Sequence, residues 1–240
     1  MANALLSLAG VNTHIGQYHI LHGVDFSVKE KSLTMLLGRN GAGKTTCLRT
    51  IMGLWRASAG TVKFEEQEIT RTPTPDLARL GIAYVPENMG IFAGLTVREN
   101  MLLAARSGAL DDQRLAWIFG LFPAMKKFWN SLAGNLSGGQ KQMLAISRAI
   151  VEPRRLLLVD EPTKGLAPAI IAAMIEAIQE LKRDATLLVV EQNFHFARSL
   201  GDAVVVMDSG RIVHAGSMAA LAADEALQQR LLGLSLEAHQ

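Results

Sequence analysis

The strongest constraint on the fold is the segment LTMLLGRNGAGKTT at residues 33–46, in which an apolar run leads directly into a glycine-rich turn. Residues 38–45 match the pattern GxxxxGK followed by Ser or Thr, and the next residues, TCLRTIMG, are typical of a helix. Glycines let the backbone curl until its N–H groups point at one anion, and a helix N-terminus adds partial positive charge. The segment therefore predicts a strand, a phosphate-binding loop and a helix, in that order.

This loop supplies most of the predicted nucleotide contacts. Lys44 is placed to reach the β- and γ-phosphates, and the Thr45 hydroxyl is placed to bind Mg²⁺. The alternative, a glycine-rich turn that binds nothing, is disfavoured by the strand before it and the helix after it. Cys47 is interpreted as a small buried residue rather than a reactive thiol. The expected phosphate contacts are Gly38, Arg39, Asn40, Gly41, Ala42, Gly43, Lys44, Thr45 and Thr46.

A second apolar run, LLLVDEP at residues 156–162, ends in Asp160 and Glu161. Ligands of open α/β sheets bind at the carboxyl ends of the strands. Asp160 is therefore predicted to hold Mg²⁺ through water, and Glu161 to polarise the water that attacks the γ-phosphate. For this pair alone, a helix N-cap or a solvated turn is an equally ordinary explanation. The phosphate-binding loop earlier in the chain favours the catalytic one.

A third segment, LSGGQ at residues 136–140, precedes the helical stretch KQMLAISRAIV. It has a Ser at the N-cap position and two glycines, so it predicts a second anion site at a helix N-terminus. The alternative is an ordinary helix cap. A chain with one phosphate-binding loop has no evident use for a second anion site of its own.

In order and spacing, the loop, LSGGQ and LLLVDEP resemble the ATPases of ABC transporters, over essentially the whole chain. The resemblance implies ATP hydrolysis, with ATP and Mg²⁺ as cofactors. It also implies that two ATPase subunits pack head to tail, with each ATP between one subunit's loop and the other's LSGGQ. The residues that would then contact the partner's ATP are Ser137, Gly138, Gly139 and Gln140, with Ser137 and Gly139 at the γ-phosphate.

Alternation of continuous apolar strands with helical stretches predicts an α/β fold with a parallel sheet covered by helices. With the resemblance, the expected fold is a P-loop NTPase (RecA-like) core with a mostly parallel sheet, an N-terminal antiparallel β subdomain and an inserted helical signature subdomain. We expect one ABC ATPase domain over residues 1–240. Residues 1–94 and 151–240 form its core in this prediction, and residues 95–150 form the helical subdomain.

The segment AVVVMDSGRIVHAG at residues 203–216 predicts a β-hairpin that turns at residues 208–210.

Three departures from the family pattern narrow the subgroup. Glu87, in VPE, stands where Gln is usual and is expected to ligate Mg²⁺ directly or through water. Gln192, in VEQN, stands at the switch position usually held by His; it can donate to a γ-phosphate but does not titrate near neutral pH. Ala167, in GLAP, replaces a common Asp. The predicted catalytic residues are thus Glu161, Gln192 and Lys44.

The combination VPE, GLAP and VEQN resembles the ATPases of branched-chain or hydrophobic amino-acid importers. A urea or short-amide importer, a lipid or lipopolysaccharide exporter, and a soluble ABC ATPase of translation or DNA repair are the alternatives. A regulatory module without turnover is disfavoured because the residues for hydrolysis are present. The resemblance also places a permease in the groove beside Glu87, next to the helices of residues 95–150, where Met89 and Phe92 are candidate lining residues.

The position that usually holds an aromatic residue against adenine falls on Ile15, with His14 and Tyr18 nearby. Ile15 can pack on the base by dispersion but has no π face. Tyr18 is the aromatic candidate, although half-buried packing in a strand explains it equally well. Which of the three side chains contacts adenine stays open at this level.

The charge and hydropathy of the chain limit the kinds of partner that it can have. The chain has 24 Lys and Arg against 22 Asp and Glu in 240 residues, a net charge of +2, and 49% hydrophobic residues. This balance disfavours a disordered chain and a nucleic-acid binder held by bulk charge. No run approaches the roughly 20 apolar residues of a membrane span. We expect a peripheral protein at the cytoplasmic face of the cell membrane. Its expected partners are a second ATPase subunit, identical or paralogous, two integral-membrane permeases and, indirectly, a substrate-binding protein.

Overall fold

The computed structural model describes residues 4–233, which form two sheets and ten α-helices. The strands are β1 (Ala4–Ile15), β2 (Tyr18–Lys29), β3 (Leu33–Leu37), β4 (Ala57–Phe64), β5 (Gln67–Glu68), β6 (Ile82–Val85), β7 (Leu156–Asp160), β8 (Thr186–Glu191), β9 (Ala203–Asp208) and β10 (Arg211–Ser217). The helices are α1 (Lys44–Ile51), α2 (Thr74–Arg79), α3 (Val97–Ala104), α4 (Asp112–Leu121), α5 (Pro123–Lys127), α6 (Gly138–Ala149), α7 (Pro168–Asp184), α8 (Phe194–Leu200), α9 (Met218–Ala223) and α10 (Glu225–Leu232). A 3₁₀ turn covers Ala133–Asn135.

The larger sheet has the order β10-β9-β3-β8-β7-β6, and only the β9–β10 pair in it is antiparallel. The predicted hairpin at the end of this sheet is confirmed. Ser209 and Gly210 both have positive φ, 47° and 74°, as a two-residue hairpin turn with the twist of its strands requires. The smaller sheet has the order β2-β1-β4-β5 and is antiparallel throughout. The predicted α/β class with both sheets is therefore confirmed.

Strands β1 and β2 extend beyond the short apolar runs ALLSLAGV and VDFSVK that lie within them. Each has 12 residues, because pairing continues through the polar stretch NTHI as far as Ile15 and Tyr18. The register shifts between Leu8 and Val11 and again near His14, so bulges interrupt the apolar alternation without ending the strand. The apolar runs therefore mark where these strands lie but not where they end.

Two apolar cores lie on opposite faces of the larger sheet. Along β7, Leu157 and Val159 contact one core, while Leu156 and Leu158 contact the other. The first core is covered by the helices of residues 97–149 and by α7, α8 and α9. The second encloses α1 between the two sheets, with Cys47 in its centre. This alternation is what a strand buried on both faces requires.

The helices α3 to α6 occupy residues 97–149, within the segment predicted to be helical. The division of the chain into a core and a separate helical subdomain stays a prediction. Helix α10 is the last element described, and residues 234–240 lie outside the described part of the chain. Among residues 4–233, no helix combines the length and apolarity needed to cross a lipid bilayer.

Candidate active site

The loop between β3 and α1 has a conformation that requires its glycines. Gly38, Gly41 and Gly43 have φ values of 151°, 80° and 104°. A Cβ on Gly38 would lie 2.1 Å from the carbonyl oxygen of Met207, so no larger residue is accommodated there. Helix α1 begins after Gly43 with no side-chain cap, which leaves its first-turn N–H groups available to an anion. The loop has the local structure that phosphate binding needs.

Lys44 lies inside this loop and is 5% exposed. Its ammonium group donates to the carbonyl oxygens of Gly38, at 2.8 Å, and Arg39, at 3.0 Å, and lies 3.9 Å from Glu161 Oε1. Burial lowers the pKa of Lys44, and the carboxylates of Glu161 and Asp160 oppose that shift. A cation is thus held in the concave side of the loop, beside two acidic residues.

Asp160 is completely buried at the end of β7. Its Oδ1 accepts from Thr45 Oγ1 at 3.1 Å, and its Oδ2 accepts from the Tyr84 hydroxyl at 3.1 Å. Burial raises the pKa of Asp160, against the effect of the two hydrogen bonds, and burial also raises the pKa of Tyr84 to about 12. A bound hard cation would stabilise the ionised carboxylate of Asp160, which burial has removed from water. Mg²⁺ is commonly held by one or two protein oxygens and substrate phosphates, so the Thr45–Asp160 pair fits that ion.

Replacing Asp160 with Asn should therefore stabilise the nucleotide-free protein while removing Mg²⁺-dependent hydrolysis. The raised pKa means that the carboxyl group favours the fold when protonated, and that this contribution is lost as the pH rises through its folded-state value. At pH 7 we expect Asp160→Asn to raise Tm, because the amide carries no charge that burial would desolvate. Calorimetry in chelator-treated buffer measures it.

The same comparison at acidic pH is the internal control for this prediction. Below the usual Asp range, about pH 4, the native carboxyl is protonated and the gain should disappear. The exposed Asp208 offers a matched variant, since Asp208→Asn removes a charge that is already in water. A gain of the same size from Asp208→Asn, or one that persists at low pH, would contradict burial of the Asp160 charge as its cause.

Glu161 follows β7 in a left-handed conformation, with φ 48°, which is uncommon for a residue with a side chain. Its N–H donates to the Val190 carbonyl at 2.9 Å, so the chain turns sharply at the end of the sheet. Its Oε1 accepts from Gln192 Nε2 at 2.5 Å, and the same amide donates to Asn40 Oδ1 at 2.7 Å. Backbone strain of this kind concentrates at functional sites. Glu161, Gln192, Asn40 and Lys44 are thus brought together.

Glu87 lies on the outer side of Glu161. Its Oε1 accepts from Lys164 Nζ at 2.5 Å, and the same ammonium lies 3.6 Å from Glu161 Oε2. The hydrogen bond to Glu87 is the main cause that raises the pKa of Lys164. Glu87 therefore pairs with a lysine, and Lys164 links it to Glu161. Its role as a Mg²⁺ ligand stays a prediction.

The LSGGQ segment forms the start of α6. Ser137 Oγ accepts from Gln140 N at 3.3 Å, and Gln140 Oε1 accepts from Ser137 N at 2.9 Å, which is a capping box. Gly138 is exposed, and a Cβ there would meet no atom within 4 Å, whereas a Cβ on Gly139 would lie 2.7 Å from Ile170 Cγ2. Over residues 4–233, no hydrogen bond joins this segment to the phosphate-binding loop. Its exposed N-terminus faces solvent in the single subunit.

Ile15 and Tyr18 face each other across the β1–β2 turn. Ile15 is two residues from the buried Thr13 and so lies on the same face of β1, the face whose Thr13 hydroxyl contacts Thr50 of α1 at 3.1 Å. Tyr18 is 65% exposed. His14 lies on the opposite face, where its ring stacks on His19 at 4.1 Å. Ile15 and Tyr18 are therefore the adenine candidates on the α1 side, and their contact with the base stays a prediction.

Comparison with known proteins decides the family. The sequence model described as "ABC transporter" matches residues 21–164, more than half of the chain. The chain belongs to the ABC transporter family. As a member of that family it binds nucleotide and is an ABC-type ATPase, which confirms the resemblance stated from its motifs.

Several members of the ABC transporter family match along nearly the whole chain. A high-affinity branched-chain amino acid transport ATP-binding protein, BraG of Pseudomonas aeruginosa, is 39% identical over 95% of this chain and 100% of its own length. A probable branched-chain amino acid transport ATP-binding protein, LivF of Archaeoglobus fulgidus, is 35% identical over 96% and 99%. A solved ATP-binding subunit of an ABC transporter has 28% identity and a TM-score of 0.80, covering 97% of this chain and 96% of that one.

Three side chains of this ABC ATPase contact the predicted site residues but were not predicted themselves. Tyr84 donates to Asp160, Lys164 bridges two glutamates, and Glu191 accepts bonds from both sides of the site. The sequence could have indicated Glu191 as a site residue, because it is a charged residue at the end of an otherwise apolar strand. Nothing in the sequence indicated the Tyr84–Asp160 or Lys164–Glu87 contacts, since the partners in each lie more than 70 positions apart. Cys47 is buried as predicted, and burial raises its pKa to about 12.

Proposed function

We propose that this chain is the ATP-hydrolysing subunit that energises import of branched-chain or other hydrophobic amino acids through separate membrane permeases. The similarity to BraG, at 39% identity over 95% of the chain, carries this proposal. The geometry supports the hydrolysis half of it, because a cation, a strained glutamate and an amide converge at one sheet edge. In this proposal the protein is peripheral, at the cytoplasmic face of the cell membrane.

In the proposed mechanism, each side chain acts on ATP or on the attacking water. The loop N–H groups and Lys44 bind the β- and γ-phosphates, where their charge offsets the charge that builds up during transfer. Thr45 and Asp160 hold Mg²⁺, which supplies further charge neutralisation at the phosphates. Glu161 accepts a hydrogen bond from the water and orients it, while the Gln192 amide holds Glu161 in place. Ile15 and Tyr18 pack against adenine.

The exposed start of α6 supports a shared site. Ser137 and Gly138 are exposed at the N-terminus of α6, where the Ser137 hydroxyl and the first-turn N–H of Gly138 are groups that suit an anion. In the proposal, these groups bind the ATP held by a second ATPase subunit, identical or paralogous. ATP then joins two subunits, and its hydrolysis removes the contacts that hold them together.

A groove of about 590 Å³ supports the permease contact. Its walls include Trp55, Tyr84, Met89 and Arg148, so both the sheet core and α6 contribute to it. Phe92, which is half-exposed at 49%, lies beside it with the Arg148 guanidinium 5.0 Å from the centre of its ring. An apolar groove with a cationic rim suits an amphipathic helix of a membrane protein.

The decisive experiment is transport in membrane vesicles that contain this chain together with permeases and a binding protein from its own genome. We expect ATP-dependent uptake of leucine, isoleucine and valine that Glu161→Gln abolishes. Uptake of urea or a short amide in their place would overturn the substrate assignment. ATP hydrolysis by a chain that never associates with permeases, and associates with ribosomes or DNA, would overturn the transport role.

A further inference from the structure

Glu191, the last residue of β8, is a buried charge that the proposed mechanism does not use. Its side chain is 2% exposed, between the ends of β3 and β7. Among the described residues, no Lys or Arg forms an ion pair with it. A buried carboxylate without a cation is costly unless hydrogen bonds replace its water. The contacts of Glu191 show how that is achieved.

Four donors converge on the two oxygens of Glu191. Oε1 accepts from the Thr163 N–H at 3.0 Å and from the Thr163 hydroxyl at 2.6 Å. Oε2 accepts from the N–H groups of Gln192, at 2.9 Å, and Asn193, at 3.0 Å. A carboxylate offers about four acceptor positions, so its capacity is filled. Bonds of this kind to an ionised group are shorter and stronger than bonds between neutral groups.

These contacts tie together the two segments that form the catalytic centre. Thr163 lies two residues after Glu161, in the loop that leaves β7. Gln192 begins the turn that leaves β8, and its side chain bonds to Glu161 Oε1 at 2.5 Å. Asn193 continues that turn, and its Oδ1 caps α8 by accepting from Phe196 N at 3.0 Å. One carboxylate therefore fixes both backbones at the point where Glu161 and Gln192 meet.

We propose that Glu191 is a positioning residue that sets the Gln192 amide against Glu161. The inference rests on the proposed roles of those two residues in hydrolysis and is independent of the transported substrate. Gln192 has a flexible side chain with no ring to restrict it, so its direction depends on how firmly its backbone is held. Glu191 holds the backbone of Gln192 and Asn193 through Oε2. Through Oε1 it connects that backbone to Thr163, in the loop that carries Glu161.

The test compares Glu191→Gln with Glu191→Asp and with Glu176→Gln, a charge-removing control on the exposed face of α7. In Glu191→Gln, an amide NH₂ replaces one acceptor and faces two donors. Displacement of a catalytic group by about 1 Å can cost on the order of 10²-fold in rate. We expect kcat for ATP hydrolysis by the purified protein to fall about 10- to 100-fold, with KM for ATP changed less than about threefold. Glu176→Gln should match the parent.

A second pair of variants keeps the test valid if Glu191→Gln fails to fold. Thr163→Val removes the hydroxyl donor and keeps the backbone bond, so we expect a smaller fall in kcat, which Thr163→Ser should restore. Added to Glu191→Gln, Thr163→Val should cause no further fall, because the two residues act as one unit.

A third comparison separates positioning from general stability. In a Glu161→Gln background, Glu191→Gln should have no further effect on hydrolysis, since it acts through Glu161 and Gln192. An unchanged kcat in folded Glu191→Gln, a further fall in the Glu161→Gln background, or full activity of Thr163→Val would each overturn the proposal. If Glu161→Gln itself leaves turnover unchanged, the assignment of the base fails instead, and the transport assay tests the proposed function separately.

Discussion

Glu161→Gln should lower kcat for ATP hydrolysis by about 10²- to 10⁴-fold, the range that a positioned general base contributes. The amide keeps the shape of the carboxylate. Its single oxygen, at the position of Oε1, still accepts from Gln192 Nε2, while its NH₂ group takes the place of Oε2, which lies 3.6 Å from Lys164 Nζ. What disappears is the negative charge that draws a proton from the attacking water. Phosphate release from the purified protein measures the effect directly.

ATP binding should survive this substitution, because Lys44 and the loop N–H groups are untouched. We therefore expect Glu161→Gln to accumulate as an ATP-bound dimer in size-exclusion chromatography, while the parent hydrolyses its ATP and separates. Glu176→Gln, which also exchanges a glutamate for an amide but lies exposed on α7, is the control. Steady-state turnover within about threefold of the parent would remove Glu161 from the catalytic role.

Gly138→Glu should abolish most hydrolysis without harming the fold of the subunit. A Cβ at Gly138 meets no atom within 4 Å, and a carboxylate in the first turn of α6 is favourable toward the helix dipole. In the proposed shared site, however, that carboxylate would face the partner's γ-phosphate. Like charges across an interface cost several kcal/mol, so we expect a fall of about 10²-fold. Gly138→Ala should retain most of the activity.

Mixing this variant with Lys44→Ala distinguishes a shared site from a site within one subunit. Lys44→Ala removes the cation of the phosphate-binding loop and two hydrogen bonds to its carbonyls. A mixed dimer joins the intact loop of the Gly138→Glu chain to the intact Ser137 segment of the other chain. Hydrolysis should reappear, up to about a quarter of the parent rate for random pairing of two copies. A mixture as inactive as its parents would contradict the head-to-tail arrangement.

The local features of this protein were predictable because they depend on short stretches of chain. The loop at residues 38–45 needs its glycines for a curled backbone, and the helix after it follows directly. The N-cap role of Ser137 and the turn at residues 208–210 likewise depend on only a few adjacent residues. The ends of β1 and β2 were not predictable in this way, because a neighbouring strand extended them beyond their apolar runs.

The contacts inside the site could be predicted only with knowledge of the strand order in the sheet. Asp160 meets Tyr84 because β7 lies between β6 and β8, and Glu161 meets Gln192 because β7 and β8 end side by side. Lys164 reaches Glu87 across 77 positions of sequence. No periodic pattern carries information over such distances, since dihedral preferences act only over a few residues. The departures Glu87 and Gln192 were visible in the sequence, while the partners of their side chains were not.

By itself, the sequence determined the chemical groups that this protein has available: a phosphate-binding loop, a carboxylate pair after a buried strand, and a capped helix N-terminus at residues 136–140. Each follows from neighbouring residues, whose backbone freedom and hydrogen-bonding groups are local properties. Only the tertiary structure decided which side chains act on each other, and so placed Glu191 between the Glu161 loop and the Gln192 turn. That placement depends on strand order and burial, which are properties of the whole packed chain.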